Sequence, residues 1–303
     1  MRAFNQYNPV AAAVCLISAA VIPMFCLNPV MLIISLFCAV AVNFTVCGPV
    51  PKKLIFPLVM LAVVSLANPF FNHRGSTALF FINGNPVTLE SLFYGVLTGV
   101  ALAALILWFS AFSAVMTTDK LLYLFGRFSP KTAFVLSMVL RFVPMFRRQA
   151  KRTSAAQTVT GKGGEESFPR RLATGSRVFS VIVSWALENG IITADSMQAR
   201  GYASGRRSRY AIFRFLKRDF ILIAAAVIFM LPSIAVLSGG RLEMSFYPEI
   251  QAIPTDYLSL SAYASYAVLC ILPLITQATE GIKWKYSRSK IYRSDILNAH
   301  RMR

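Results

Sequence analysis

The residues best placed to do chemistry lie in one polar stretch, Thr193-Ala194-Asp195-Ser196-Met197-Gln198-Ala199-Arg200-Gly201-Tyr202, between two groups of bilayer-length apolar segments. The chemistry is recognition rather than bond breaking. Glycine tolerates the left-handed conformation that ends many helices, so Gly201 predicts a stop with Arg200 just before it. A guanidinium held there is a charge-assisted donor suited to a carboxylate on a soluble partner. The plainer alternative is that Arg200 offsets the negative end of a helix dipole.

Reaction chemistry finds little support elsewhere. A phosphate-binding loop requires glycine, four residues, glycine, lysine and a hydroxyl residue; Gly161-Lys162-Gly163 has Ala156 in place of the first glycine and no hydroxyl at 163. His73 and His300 have no nearby carboxylate cluster, and the acidic residues place no pair inside an apolar segment, where a proton or metal relay would need one. Glu90, at the start of such a segment, reads as a charge favouring a helix N-terminus. Cys15, Cys26, Cys38, Cys47 and Cys270 lie in or beside apolar segments without paired metal spacings, which predicts small packing residues rather than a disulfide framework or zinc site. Arg141, in Leu140-Arg141-Phe142-Val143-Pro144, is an arginine in an apolar run followed by a helix-kinking proline. It either marks where a helix leaves the membrane or snorkels toward head groups.

The elements that must position these residues belong to lipid. Of 303 residues, 56% are apolar and 14% charged, a composition of a polytopic membrane protein. Apolar segments at about 8–27, 29–47, 54–68, 89–116, 219–239 and 257–277 are mostly near the ~20 residues needed to span a bilayer. The first leads directly into the second, which favours a retained span over a cleaved leader. With six spans and an inside start, all 31 Lys and Arg except Arg74 and Arg241 fall on the inner side, so both termini are expected in the cytoplasm. That distribution also turns the net charge of +19 away from nucleic acid as a partner and toward the lipid bilayer.

The chain divides into a four-span block (1–116), a basic cytoplasmic module (117–218) and a two-span block with a basic tail (219–303). In the module, Phe134, Val135, Met138, Val139, Phe142, Val143 and Phe146 recur at helical spacing, as do Val178, Ile182, Trp185 and Ile192. They predict two long amphipathic helices, separated by the breaker Gly161-Lys162-Gly163-Gly164-Glu165-Glu166-Ser167-Phe168-Pro169 and forming a hairpin whose polar helix ends project into the cytoplasm. The connection 68–86 has turn residues flanking a short β-prone run, which predicts an ordered outer cap. The fold class expected is therefore all-α and polytopic.

Four stretches carry a resemblance to a known family: Asn68 to Gly75 with Leu79-Phe80 and Thr88-Leu89-Glu90; Thr117-Thr118-Asp119-Lys120-Leu121; Leu140 to Pro144; and Ala194 to Tyr202. In order and spacing they resemble the transmembrane T component of energy-coupling factor (ECF) transporters, the EcfT/CbiQ family that includes the membrane subunit of cobalt and nickel uptake systems. The resemblance implies a non-enzymatic scaffold in a prokaryotic cell membrane. It would couple ATP hydrolysis on two ABC-type ATPase subunits to uptake of a vitamin or transition-metal ion through a small membrane S component. No cofactor is implied on this chain; ATP-Mg belongs to the partner ATPases. Ala199, Arg200 and Gly201 match the second of the family's two Ala-Arg-Gly docking motifs, and the first falls near Thr160 and Gly161, with Thr160 where the family usually has arginine. Arg141 and Pro144 are implied to shape the first coupling helix. The competing readings are a membrane-embedded lipid-modifying enzyme, which would need a buried base or ligand set, and a non-transporting anchor for a soluble partner.

Overall fold

The computed structural model describes residues 7–48, 52–73, 75–82, 85–160, 168–202, 204–205, 213, 215–242, 244–247 and 251–301. They form two compact units, one of residues 1–120 with 213–303 and one of residues 121–212.

The first unit holds α1 (Pro9–Phe25), α2 (Pro29–Cys47), α3 (Lys52–Phe71), α4 (Leu89–Val115), α8 (Lys217–Ser238) and α9 (Tyr257–Arg301), with an antiparallel hairpin of β1 (Ala78–Ile82) and β2 (Asn85–Thr88) between α3 and α4. An Asn-Pro-Val triplet starts both α1 and α2. The Asn8 side chain accepts from the Val10 amide at 3.0 Å and Asn28 from Val30 at 3.1 Å, while Pro9 and Pro29 take a position that needs no amide donor. The β-prone run in the connection is the hairpin, the one departure from all-helical structure among the described residues.

α1 packs against α2, α4, α8 and α9. Its contact face is made small by Ala11, Ala12, Cys15 and Ala19, all fully buried, which lets backbones approach closely where lipid supplies no hydrophobic drive between helices. α3 and α4 solve the same problem with glycine. A side chain on Gly95 would begin 2.9 Å from the Ser65 carbonyl oxygen, and one on Gly99 2.9 Å from that of Leu61. Gly95-Val96-Leu97-Thr98-Gly99 is a small-xxx-small pair that hydropathy alone does not reveal.

Buried polar side chains pin the bundle where burial alone is indifferent to register. The Tyr266 hydroxyl donates to the Ala19 carbonyl at 3.0 Å, Trp108 Nε1 to Ser35 Oγ at 3.0 Å, and Asn43 Nδ2 to the Leu107 carbonyl at 2.7 Å. Asn28 Nδ2 donates to the Tyr263 hydroxyl at 2.8 Å, joining the start of α2 to α9. Asp219, fully buried in the first turn of α8, accepts from its own helix cap at Leu216 N (2.9 Å) and from Asn8 N at the head of α1 (3.2 Å). The starts of α1 and α8 therefore lie at the same end of the bundle.

Six helices among the described residues are long and apolar enough to cross a membrane: α2, α3, α4, α8, α9 and α7 (Phe168–Ala199). Five match expected spans. The sixth expected span, α1, has only 17 residues, yet its burial at the centre of the bundle makes it part of that unit. α7 qualifies with the least apolar composition of the six and has no buried residue in its apolar window.

The second unit holds most of α5 (Thr118–Phe128), with α6 (Pro130–Val159) and α7. α6 and α7 run antiparallel: Phe134, near the start of α6, stacks on Tyr202, just past the end of α7, at 5.3 Å between centroids, and Phe146 meets Trp185 edge-on at 5.9 Å. The apolar pattern read from the sequence divides in two. Phe134, Met138, Phe142 and Phe146 are half-buried, whereas Val135, Val139 and Val143 are exposed, as is Ile192 of α7. Phe168 and Pro169 are helical rather than part of the breaker, Pro169 lying in the first turn where no amide is required; 161–167 lie outside the described residues.

Two substitutions test this packing by thermal unfolding in mild detergent. Gly99→Leu is expected to cost about 2 kcal/mol by forcing α3 away from α4. Asp219→Ala is expected to cost about 3 kcal/mol, because the buried Asn8 amide and the part-buried Leu216 amide both lose their carboxylate acceptor. An unshifted midpoint in either variant would mean that the corresponding contact does not hold the bundle.

Candidate functional site

The α7 terminus is built by its backbone. Gly201 takes φ 80°, the Tyr202 amide donates back to the Met197 carbonyl at 2.9 Å and the Gly201 amide to Gln198 at 2.9 Å. This paired closure needs a left-handed residue at position 201. It leaves Ala199 and Arg200 exposed at the last turn, with Asp195 exposed one turn earlier. Tyr202 then folds onto Phe134, so the ending of α7 is fastened to the start of α6. The sequence does not single out this aromatic partner as a clamp; the available signal is an aromatic residue directly after the helix-stopping glycine.

The α6 terminus is closed differently. Thr160 follows the last helical residue at φ −78°, and its hydroxyl lies 3.0 Å from the Gln157 carbonyl and 3.2 Å from that of Ala156. The hydroxyl thus satisfies its own helix end instead of reaching outward. Gly161 lies outside the described residues. Because the two helices are antiparallel, Thr160 and Arg200 sit at opposite ends of the hairpin. Roughly 40 Å of α6 separates Phe134, beside the Arg200 end, from Thr160 at 1.5 Å per residue.

Between those ends α6 is strongly basic. Lys131, Arg141, Arg147, Arg148, Lys151 and Arg152 lie along it, and the helix contains no Asp or Glu. Arg141 is not at a helix end, since α6 continues unbroken through Pro144 to Val159. Pro144 removes the amide that would pair with the Leu140 carbonyl, a local weakness three residues from Arg141. Lys120, in the first turn of α5, is 2% exposed, and burial pushes its ammonium below the ordinary lysine range. Among the described residues no group of three or more His, Cys, Asp or Glu side chains could hold a metal ion.

Fold and surface together define a class: a predominantly helical, multi-pass membrane protein bearing a basic helical hairpin. The family model of the cobalt transport protein CbiQ matches residues 2–212, and the chain belongs to that family. It is accordingly a membrane component of a transporter. The matched region contains α1 to α7 and both hairpin ends, and stops before α8 and α9. No curated protein matches the chain.

Replacing Gly201 with Ala should strain the left-handed closure by about 1 kcal/mol. In hydrogen exchange, the amides of residues 201 and 202 should then exchange several-fold faster, with rates in α1 to α4 unchanged. Unaltered exchange at both positions would refute the closure.

Proposed function

We propose that this chain is the transmembrane scaffold of an energy-coupling importer, carrying motion from two ABC-type ATPase subunits to a small substrate-binding membrane subunit. The observation that carries this reading is the antiparallel hairpin with its two helix ends held far apart. Two separate ATPases closing on ATP need two separated points of attachment, and a single antiparallel hairpin provides both. In this reading both termini and the hairpin face the cytoplasm, as the distribution of Lys and Arg favours.

The chain contributes no catalytic group to ATP hydrolysis; ATP and magnesium are held by the partners. Arg200 docks on a carboxylate of one ATPase, with Gly201 fixing the direction in which it leaves the helix. Thr160 and Gly161 form the attachment to the other. A threonine already bonded to its own helix makes a weaker contact than a planar guanidinium, so the two attachments are unequal. Unequal ends favour two different ATPases.

The substrate-binding subunit packs on apolar surface that the hairpin leaves uncovered. Val135, Val139 and Val143 form one exposed stripe on α6, and Phe179, Val183, Leu187 and Ile191 form another on α7. For such a coupling element to transmit work, these contacts must differ between the ATP-bound and ATP-free states. Arg141 and Pro144 lie at the level of the α6 stripe but across the helix from it, and the amide missing at Pro144 gives α6 a point at which to bend. The family description favours a transition-metal ion, cobalt, as cargo, with a vitamin as the other substrate class.

The test is co-purification in mild detergent and then uptake in reconstituted vesicles. The wild-type chain should bring down two ATPases and a small apolar protein and support ATP-driven cobalt accumulation. Arg200→Glu should leave membrane insertion intact, reduce ATPase recovery at least tenfold by placing like charges together, and abolish uptake. Thr160→Arg should tighten the second attachment. Normal uptake by the Arg200→Glu protein at normal expression would sink the assignment, and partner recovery without any uptake would leave an anchor rather than a transporter.

A further inference from the structure

α9 is 45 residues long, ~67 Å as a helix, more than twice the ~30 Å thickness of a hydrocarbon core. Its membrane-compatible portion ends at Trp284, and the helix continues to Arg301. This extension lies outside the region matched by the transport family, so the coupling reading does not account for it.

The composition inverts where the span ends. Lys283, Lys285, Arg288, Lys290 and Arg293 come in close succession, and no acidic residue occurs between Glu280 and Asp295. Trp284 and Tyr286 stand at the same level, the residue types that settle among lipid head groups. The Arg288 guanidinium lies over the Trp284 ring, 5.3 Å from its centroid, within reach of a cation–π contact. That contact draws Arg288 back toward the membrane-proximal turn.

The angular placement of the basic positions separates the possible partners. At ~100° per residue, positions 283, 285, 288, 290 and 293 occupy an arc of roughly 220° about the helix axis, wider than any single face. A protein groove or a nucleic-acid duplex engages one side of a helix. A layer of lipid head groups surrounds a helix passing through it and meets every side. We propose that Lys283–Arg293 of α9 is a binding site for anionic phospholipid head groups, which it gathers around the helix where it leaves the bilayer.

The full-length chain in nanodiscs, with photoactivatable phosphatidylglycerol or photoactivatable phosphatidylcholine at equal mole fraction, tests this directly. Cross-linked peptides are mapped by mass spectrometry, so labelling of 283–293 is read separately from labelling of α6. Phosphatidylglycerol should exceed phosphatidylcholine on this segment by about fivefold or more, since one basic residue near a charged surface contributes ~1 kcal/mol. Raising the salt concentration should lower the ratio. The K283Q/K285Q/R288Q/K290Q/R293Q variant should bring it to near one, and the milder K290Q/R293Q pair, beyond the apolar span, should shift it the same way if the quintuple variant fails to fold. Equal labelling by the two lipids in the wild-type chain, or a preference untouched by both variants, would overturn the proposal.

Discussion

The structure depends on one constraint: a polar group inside a helical bundle surrounded by lipid must find its partner within the protein. Asp219 meets it most completely. Its carboxylate is fully buried, and two amides from different parts of the chain, Asn8 and Leu216, donate to it. One side chain therefore ties the head of the first helix to the head of the eighth. Asn28 with Tyr263, Tyr266 with the Ala19 carbonyl, and Trp108 with Ser35 extend the same logic along the bundle. Apolar contacts hold the helices together, but these bonds select one register among many that would bury similar area.

The hairpin obeys the opposite rule. α6 has no fully buried residue, and α7 shows only a half-buried stripe toward it, so the pair has too little interior to be defined by a core. Its definition comes from aromatic contacts at particular points, Phe134 with Tyr202 and Phe146 with Trp185, and from the backbone closure at Gly201. The result is long helices with apolar side chains such as Val139, Val143 and Leu187 left exposed. A membrane bundle closed by internal hydrogen bonds and a hairpin left open to partners are two answers to the same question of where each side chain is satisfied.

The two ends of that hairpin illustrate how local chemistry makes two helix ends unlike. Gly201 spends no side chain on ending its helix, so Arg200 remains exposed. Thr160 ends its helix with its own hydroxyl, which bonds back to Gln157 and Ala156. A residue that caps itself has less to offer a partner, and the difference arises within a few ångströms of backbone rather than from any long-range property of the fold.

Several features were legible in the residues alone. Apolar composition and the lengths of the apolar segments identified a polytopic membrane protein, because the bilayer imposes a span length that its sequence must satisfy. The spacing of Phe134 to Phe146, and Gly201 after Arg200, marked an amphipathic helix and a helix end, since both signals are local in the chain. Pairing is not local. Which apolar residues of α6 meet α7, that Thr160 and Arg200 fall at opposite ends, that Gly95 and Gly99 receive α3, and that the front and back apolar segments form one unit all depend on residues distant in sequence. Periodicity reports that a face exists; only the tertiary structure, through close backbone approach and directed hydrogen bonds, decides what that face touches.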